Sequence, residues 1–313
     1  MSPKNERRAF RIVITDSGLG GLSICAELEN KLRSAAADRP VELIYVNAWP
    51  DPQWGYNDLP DPASRARVLD KALGRMAGYD PGLIVIACNT LSVLYDLTEF
   101  SRKPAVPVRG IIDEGVELFE EALTRDPEGG LILFGTRTTI ESGEHIRRLA
   151  ARGIAPERLA GAACHRLAAV IDNDPDSPAV IEMIEKCMPA ELARFGAGGT
   201  LFAGFVCTHY GYVRDAFQSI LDRKTGRKVE ILDPNMRLAG RVVATIPARA
   251  PWSIGERSAA GPGGTDGPGI TVVVISKIEL GEAKRRAIAR KIEPVSPVTA
   301  QALLHYTWAR DLF

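Results

Sequence analysis

Two cysteines, Cys88 in Cys88-Asn89-Thr90 and Cys207 in Cys207-Thr208-His209, each stand at the end of a short apolar run. A free thiol titrates near pH ~8.5, so a modest shift brings thiol and thiolate within reach of each other at neutral pH. A single base cannot easily serve both faces of a chiral carbon. Two groups of similar proton affinity on opposite sides of a planar carbanion can, because one removes a proton while the other delivers one. A strand-end cysteine followed by a helix also lies at the positive end of a helix dipole, which favours the thiolate. That setting belongs to Cys88 and Cys207. Cys25, Cys164 and Cys187 read as inert buried residues.

The neighbours fit the same chemistry. Asp16 near one thiol and His209 near the other can accept a proton or hydrogen-bond, giving each sulfur a helper. Ser17, Asn89, Thr90, Thr136, Thr139 and Thr208 are neutral donors which, with backbone amides at helix starts, suit carboxylates. The expected partner is a small amino acid, with no cofactor.

Strand-like runs must carry these groups: Arg11 to Thr15, Val41 to Val46, Leu83 to Ala87, Leu131 to Phe134, Leu159 to Cys164, Leu201 to Val206 and Val229 to Leu232. Helix-length segments separate most of them, including Ser64 to Ala77, Gly115 to Leu123, Gly143 to Ala151, Ala179 to Phe195 and Val213 to Asp222. Alternation of this kind predicts α/β structure on parallel sheets, with functional groups gathered beyond the carboxyl ends of the strands. One offset, 119 positions, separates Ser17 from Thr136, Cys88 from Cys207 and Tyr45 from Cys164. This is a cryptic two-fold repeat. It predicts two similar, pseudo-symmetric parallel-sheet α/β domains with the active site in the cleft between them. Residues 1–100 with 212–313 form the first domain, and 101–211 the second. Ala250 to Gly269 reads as a flexible loop, followed by a strand over Ile270 to Ile275, a helix over Leu280 to Ile292 and a last helix over Val298 to Phe313. The alternatives for that last helix are packing on the body or on a second copy in a homodimer.

Composition excludes other classes. Basic and acidic residues both number 39, so no net field attracts nucleic acid or an anionic membrane. No apolar stretch approaches the ~18 to 20 residues of a spanning helix, and Met1 to Phe10 is charged, which predicts a cytoplasmic protein. The five cysteines are scattered without Cys-x-x-Cys spacing and are expected as reduced thiols, with no zinc site. His145, His165 and His305 lack metal-ligand spacing and read as structural. Gly18 to Gly21 does not match a nucleotide loop, and Lys284-Arg285-Arg286 with Arg290-Lys291 reads as a solvated helix face.

Four segments, Asp16-Ser17-Gly18-Leu19-Gly20-Gly21, Ala87-Cys88-Asn89-Thr90, Gly135-Thr136-Arg137-Thr138-Thr139 and Cys207-Thr208-His209-Tyr210, together resemble the signature set of the aspartate/glutamate racemase family. Gly110-Ile111-Ile112-Asp113 and Ile231-Leu232-Asp233-Pro234 extend the likeness, so that it runs from about Arg11 to Val243. The histidine after the second Cys-Thr pair is closest to the glutamate racemases. The resemblance implies two similar α/β domains around a buried substrate, no pyridoxal phosphate, and Cys88 and Cys207 as acid and base. It implies Asp16 and His209 as supporting acid/base residues, and Ser17, Asn89, Thr90, Thr136, Thr139 and Thr208 as substrate-binding residues. It also implies supply of D-glutamate for cell-wall peptidoglycan. The sequence departs from the glutamate enzymes at Ala48, where they carry aspartate. It departs again at Gln53-Trp54-Gly55, where they carry Pro-Tyr-Gly, at Asp172, where they carry glutamate, and at Gly211, where they carry proline. These departures place Trp54 and Gly55 on the expected cleft wall, with Asp172 as a further candidate.

Overall fold

The computed structural model describes residues 9–35, 40–189, 192, 198–246 and 269–313. Its strands are β1 (Phe10–Asp16), β2 (Val41–Asn47), β3 (Leu83–Ile86), β4 (Val108–Gly110), β5 (Gly130–Gly135), β6 (Leu159–Ala163), β7 (Leu201–Val206), β8 (Glu230–Leu232), β9 (Ile270–Ser276) and β10 (Thr307–Trp308). They form two sheets, ordered β10-β9-β2-β1-β3-β4 and β6-β5-β7-β8, with parallel pairing throughout. The order β2-β1-β3-β4 in one sheet recurs as β6-β5-β7-β8 in the other, which is the 119-residue repeat expressed as topology. β4 belongs to the first sheet and β8 to the second, so sheet membership runs past the expected boundaries at 100 and 211.

Both faces of each sheet are covered, and the period of two decides which residue goes where. Ile12, Ile14, Leu43, Tyr45 and Val85 enter one core of the first sheet, while Val13, Ile44, Val46, Ile84 and Ile86 enter the core on its other face. In the second sheet Ile132, Phe134, Ala203 and Phe205 face one way, and Leu131, Leu133, Phe202 and Val206 the other.

Helix boundaries follow local capping chemistry. The helix expected from Ser64 begins at Pro62, because Asp61 accepts the Ser64 N–H at 2.7 Å and proline suits the first turn. The helix expected to run to Phe195 ends at Lys186, and residues 190–191 and 193–195 lie outside the described residues. The expected loop from Ala250 lies outside them up to residue 268.

The tail packs on the body. β9 pairs with β2 in register from Val41 with Ile270 to Asn47 with Ser276. Ile288, Ile292, Ala300 and Leu303 join the core that holds Ile12 and Leu43. The expected final helix is shorter, Pro297–Leu304, and the chain beyond it returns as β10 along β9.

One cysteine expectation is corrected. Cys164 directly follows β6 and Cys187 caps the helix Pro178–Lys186, and the packing of that helix brings their Cα atoms to 5.1 Å. That separation is within disulfide reach, and the two are bonded. Cys25, Cys88 and Cys207 are free and buried.

Candidate active site

Parallel registry aligns the strand ends. Asp16 and Ser17 leave β1 beside the point where Ala87 and Cys88 leave β3, while Thr136 and Cys207 leave β5 and β7 in the matching positions of the second sheet. Cys88 caps the helix Asn89–Tyr95, and Cys207 caps the 3-10 turn Thr208–Val213. Each cysteine is 6% exposed, and both border a single cavity of about 170 Å³. That volume falls below the roughly 300 to 1,000 Å³ usual for drug-sized ligands, so the site suits a small molecule.

Around Cys88 the closest polar group is Ser17, with Oγ 3.2 Å from the sulfur. Burial, and after it the Asp16 carboxylate, push the Cys88 thiol from its ordinary 9.0 up to about 12, against the hydrogen bond from Ser17. Such a rise is about 4 kcal/mol against the thiolate. A helix dipole offers about 1 kcal/mol in its favour, so the expected dipole-stabilised thiolate gives way to a protonated thiol at Cys88.

Around Cys207 the arrangement is ionic. The sulfur is 3.6 Å from His209 Nδ1, and His209 Nε2 is 2.8 Å from Asp172 Oδ1. Burial opposes the imidazolium, but the charge and hydrogen bond of Asp172, followed by Cys207, outweigh it and hold His209 well above its ordinary value. Asp172 resists the same burial through Lys284 and His209, which keep its carboxyl well below the usual range. Lys284 Nζ reaches Asp172 Oδ2 at 2.9 Å, which corrects the expectation that this lysine lies on a purely solvated face.

Three hydroxyls meet across the sheets. Thr90 Oγ1 is 2.8 Å from Thr136 Oγ1 and 3.3 Å from Thr139 Oγ1, and Thr136 caps its helix by accepting the Thr139 N–H. Asn89 borders the cavity with neither its Oδ1 nor its Nδ2 hydrogen-bonded. Buried amides rarely stay unpaired, so this one is suited to a ligand.

Of the residues expected in the site, Ser17, Gly55, Cys88, Asn89, Thr90, Thr136, Asp172, Cys207, Thr208 and His209 border the cavity. Asp16, Thr139 and Trp54 do not. Asp16 is fully buried one layer behind, where its Oδ2 accepts the Thr208 hydroxyl at 2.8 Å and its Oδ1 accepts the Gly18 N–H at 3.0 Å. Burial raises its pKa, partly offset by His209 and Thr208. Ala48 is a core residue rather than a wall residue.

The wall aromatic is Trp49, two positions past the end of β2. Its indole N–H donates to Asp51 O at 2.7 Å, and its ring lies so close to Gly55 that a side chain there would meet it at 2.8 Å. The strand-end rule applied to β2 points to this residue. Arg137, His165 and Arg166 also border the cavity, and Arg166 takes a left-handed conformation, φ 62°, at the head of the helix Leu167–Asn173.

Two like-ordered parallel sheets bring a thiol from each to one small cavity. The chain belongs to the Asp/Glu/hydantoin racemase family, whose sequence model matches residues 13–239, and it is a racemase, an isomerase. It is 28% identical over 248 residues to the glutamate racemase of Brucella ovis, spanning 76% of this chain and 80% of that one. It is also 28% identical over 235 residues to the glutamate racemase of Aquifex pyrophilus, spanning 74% and 81%. The fold is shared with the glutamate racemase of Francisella tularensis crystallised with D-glutamate, at a TM-score of 0.66 and 18% identity over 91% of this chain and 94% of that one.

Proposed function

We propose that this protein interconverts L- and D-glutamate by moving the α-proton between two thiols, Cys88 and Cys207, and that its D-glutamate serves peptidoglycan synthesis in the cytoplasm. The observation that carries the reading is that both sulfurs border one small cavity from equivalent strand ends. The named relatives support glutamate as substrate. Among the described residues no helix is long and apolar enough to cross a membrane. The Cys164–Cys187 disulfide stands apart from the proposed compartment, since disulfides are uncommon in the cytosol.

In the proposed cycle the thiolate of one cysteine takes the α-proton, and the C–H electron pair passes into the adjoining carboxylate as an enolate. The thiol on the opposite face then returns a proton to the carbon. Thiol and thiolate exchange places, so atoms and charge balance without an oxidant. Cys88, held protonated by burial, is prepared as the acid. Cys207, whose sulfur lies 3.6 Å from His209 Nδ1, is the opposite partner in the proposed cycle. Asn89 and the Thr90 and Thr136 hydroxyls supply donors for the two carboxylates, while the Thr208 hydroxyl is committed to Asp16 behind the cavity.

Incubation with L-glutamate in heavy water, with no added cofactor, tests this. Optical inversion with deuterium at the α-carbon is expected, and Cys88→Ala or Cys207→Ala should lower inversion by at least about 100-fold. Full activity in either variant overturns the two-thiol mechanism.

A second reading keeps the mechanism and changes the amino acid. Trp49 favours it, since its indole forms part of the cavity wall over Gly55. A panel of enantiopure amino acids decides the matter, and a clear preference for glutamate rules the second reading out.

A further inference from the structure

Lys284 lies on the helix Glu282–Ile292, well past residue 239, where the family match ends. Its side chain is 21% exposed and its ammonium is 2.9 Å from Asp172 Oδ2, on a carboxylate that is 3% exposed. Surface ion pairs contribute little, but a buried carboxylate that loses its counter-charge is strongly disfavoured. The other oxygen, Oδ1, receives His209 Nε2 at 2.8 Å and the Leu19 N–H at 3.2 Å. With Oδ2 pinned by lysine, the carboxylate plane cannot turn. Its Oδ1 then fixes the imidazole, whose Nδ1 faces the Cys207 sulfur at 3.6 Å.

Among the described residues the ion-pair partners of Asp172 are Lys284, on Oδ2, and His209, on Oδ1, so Lys284 is the cation on Oδ2. Asp16, Tyr45 and Tyr212 also feel the Asp172 charge, and none of them is a cation. Without Lys284 the carboxylate would take up a proton or swing away, and either change loosens its hold on His209. The Cys88 half has no such chain, because its nearest partner is the neutral Ser17 hydroxyl. Removal of the lysine should therefore affect one thiol and spare the other.

We propose that Lys284 is a positioning residue of the Cys207 half of the site, holding Asp172 so that His209 stays against the Cys207 sulfur, and that the helix Glu282–Ile292 is thereby a working part of the active site. The consequence for turnover rests on the racemase reading; the contact itself is testable without it.

The test compares the full chain with Lys284→Met and Lys284→Arg by site-resolved alkylation. Iodoacetamide labelling of Cys207 and Cys88 is followed by mass spectrometry in the same sample, so Cys88 reports on folding. In Lys284→Met the Cys207-to-Cys88 rate ratio should fall by about 10-fold or more, the scale of a lost charged hydrogen bond, while Lys284→Arg stays within about threefold of wild type. Asp172→Asn should give the same fall, and Lys284→Met added to it should give no further change, because the effect runs through Asp172. On glutamate, kcat in Lys284→Met should fall more in one direction of inversion than in the other, with KM changed less than about threefold.

An unchanged labelling ratio in Lys284→Met, in a protein that inverts glutamate, overturns the positioning role and leaves the racemase reading intact. A fallen ratio in a protein that inverts no amino acid supports the positioning role and refutes the racemase reading.

Discussion

The two thiols are chemically alike, and their surroundings make them different. Burial keeps a proton on Cys88, whereas Cys207 shares its pocket with an imidazole charged by Asp172. A buried histidine outside the site shows the opposite outcome of the same penalty. His145 is 2% exposed, its Nε2 has no hydrogen-bond partner, and burial lowers its pKa from 6.5 to about 4, with Glu144 opposing too weakly to restore it. Between pH 6.5 and about 4 the unfolded chain therefore binds this proton better than the folded one. The stability contributed by the neutral ring is complete above the unfolded value and drains away as pH falls toward the folded value, about 3 kcal/mol in all. Urea unfolding across that range should show a steeper acid loss in wild type than in His145→Gln. Equal slopes would remove His145 as the cause.

At the scale of elements, the turn between β1 and the helix Leu22–Ser34 shows why glycine recurs there. A Cβ on Gly20 would overlap the Thr208 hydroxyl and come within 2.5 Å of His209 Nδ1, and one on Gly18 would come within 2.9 Å of His209 Nε2. The turn from the first sheet thus closes against the Cys207-Thr208-His209 turn of the second, backbone to side chain. Tyr45 and Tyr212 fasten it by donating their hydroxyls to Gly18 O at 2.7 Å and Leu19 O at 2.9 Å. Gly20→Ala should lower kcat at least about tenfold by displacing His209, and should cost about 1 to 3 kcal/mol of stability through overpacking. Steady-state kinetics beside denaturant unfolding would check both. Wild-type kcat in the variant would mean that the turn tolerates displacement without consequence for the site.

At the scale of the whole molecule, function depends on the two sheets facing each other in one orientation. Asp16 with Thr208 and Thr90 with Thr136 join them within the cleft. Outside it the helix Asn235–Thr245, which packs into the first sheet's core through Leu238 and Val242, sends Arg237 to Glu117 at 3.0 Å and to Glu121 at 2.6 Å. Those glutamates lie on the helix Ile112–Arg125, which packs on the second sheet through Val116 and Phe119. Arg241 joins the same cluster through Glu117 at 2.6 Å. Arg237 is 24% exposed and also lies 3.5 Å from the buried Glu114, so Arg237→Ala should cost about 1 to 3 kcal/mol, and the share from the more exposed Glu121 should shrink as salt rises. Thermal unfolding at two ionic strengths measures it, and a difference that grows with salt would contradict an electrostatic link.

The sequence by itself determined the parallel α/β plan, the internal repeat and the two thiols. Each is written locally, in apolar runs that end in small polar residues and in a 119-position offset that topology can only repeat. Tertiary structure alone decided the rest. Trp49 borders the cavity where Trp54 was expected, because the stretch after β2 folds its indole over Gly55. Cys164 finds Cys187, and Lys284 finds Asp172 from 112 positions along the chain, through helix packing that no spacing encodes. The protonation of Cys88 belongs here too, since burial sums over atoms from distant segments, and it outweighs the dipole that the neighbouring residues alone announce.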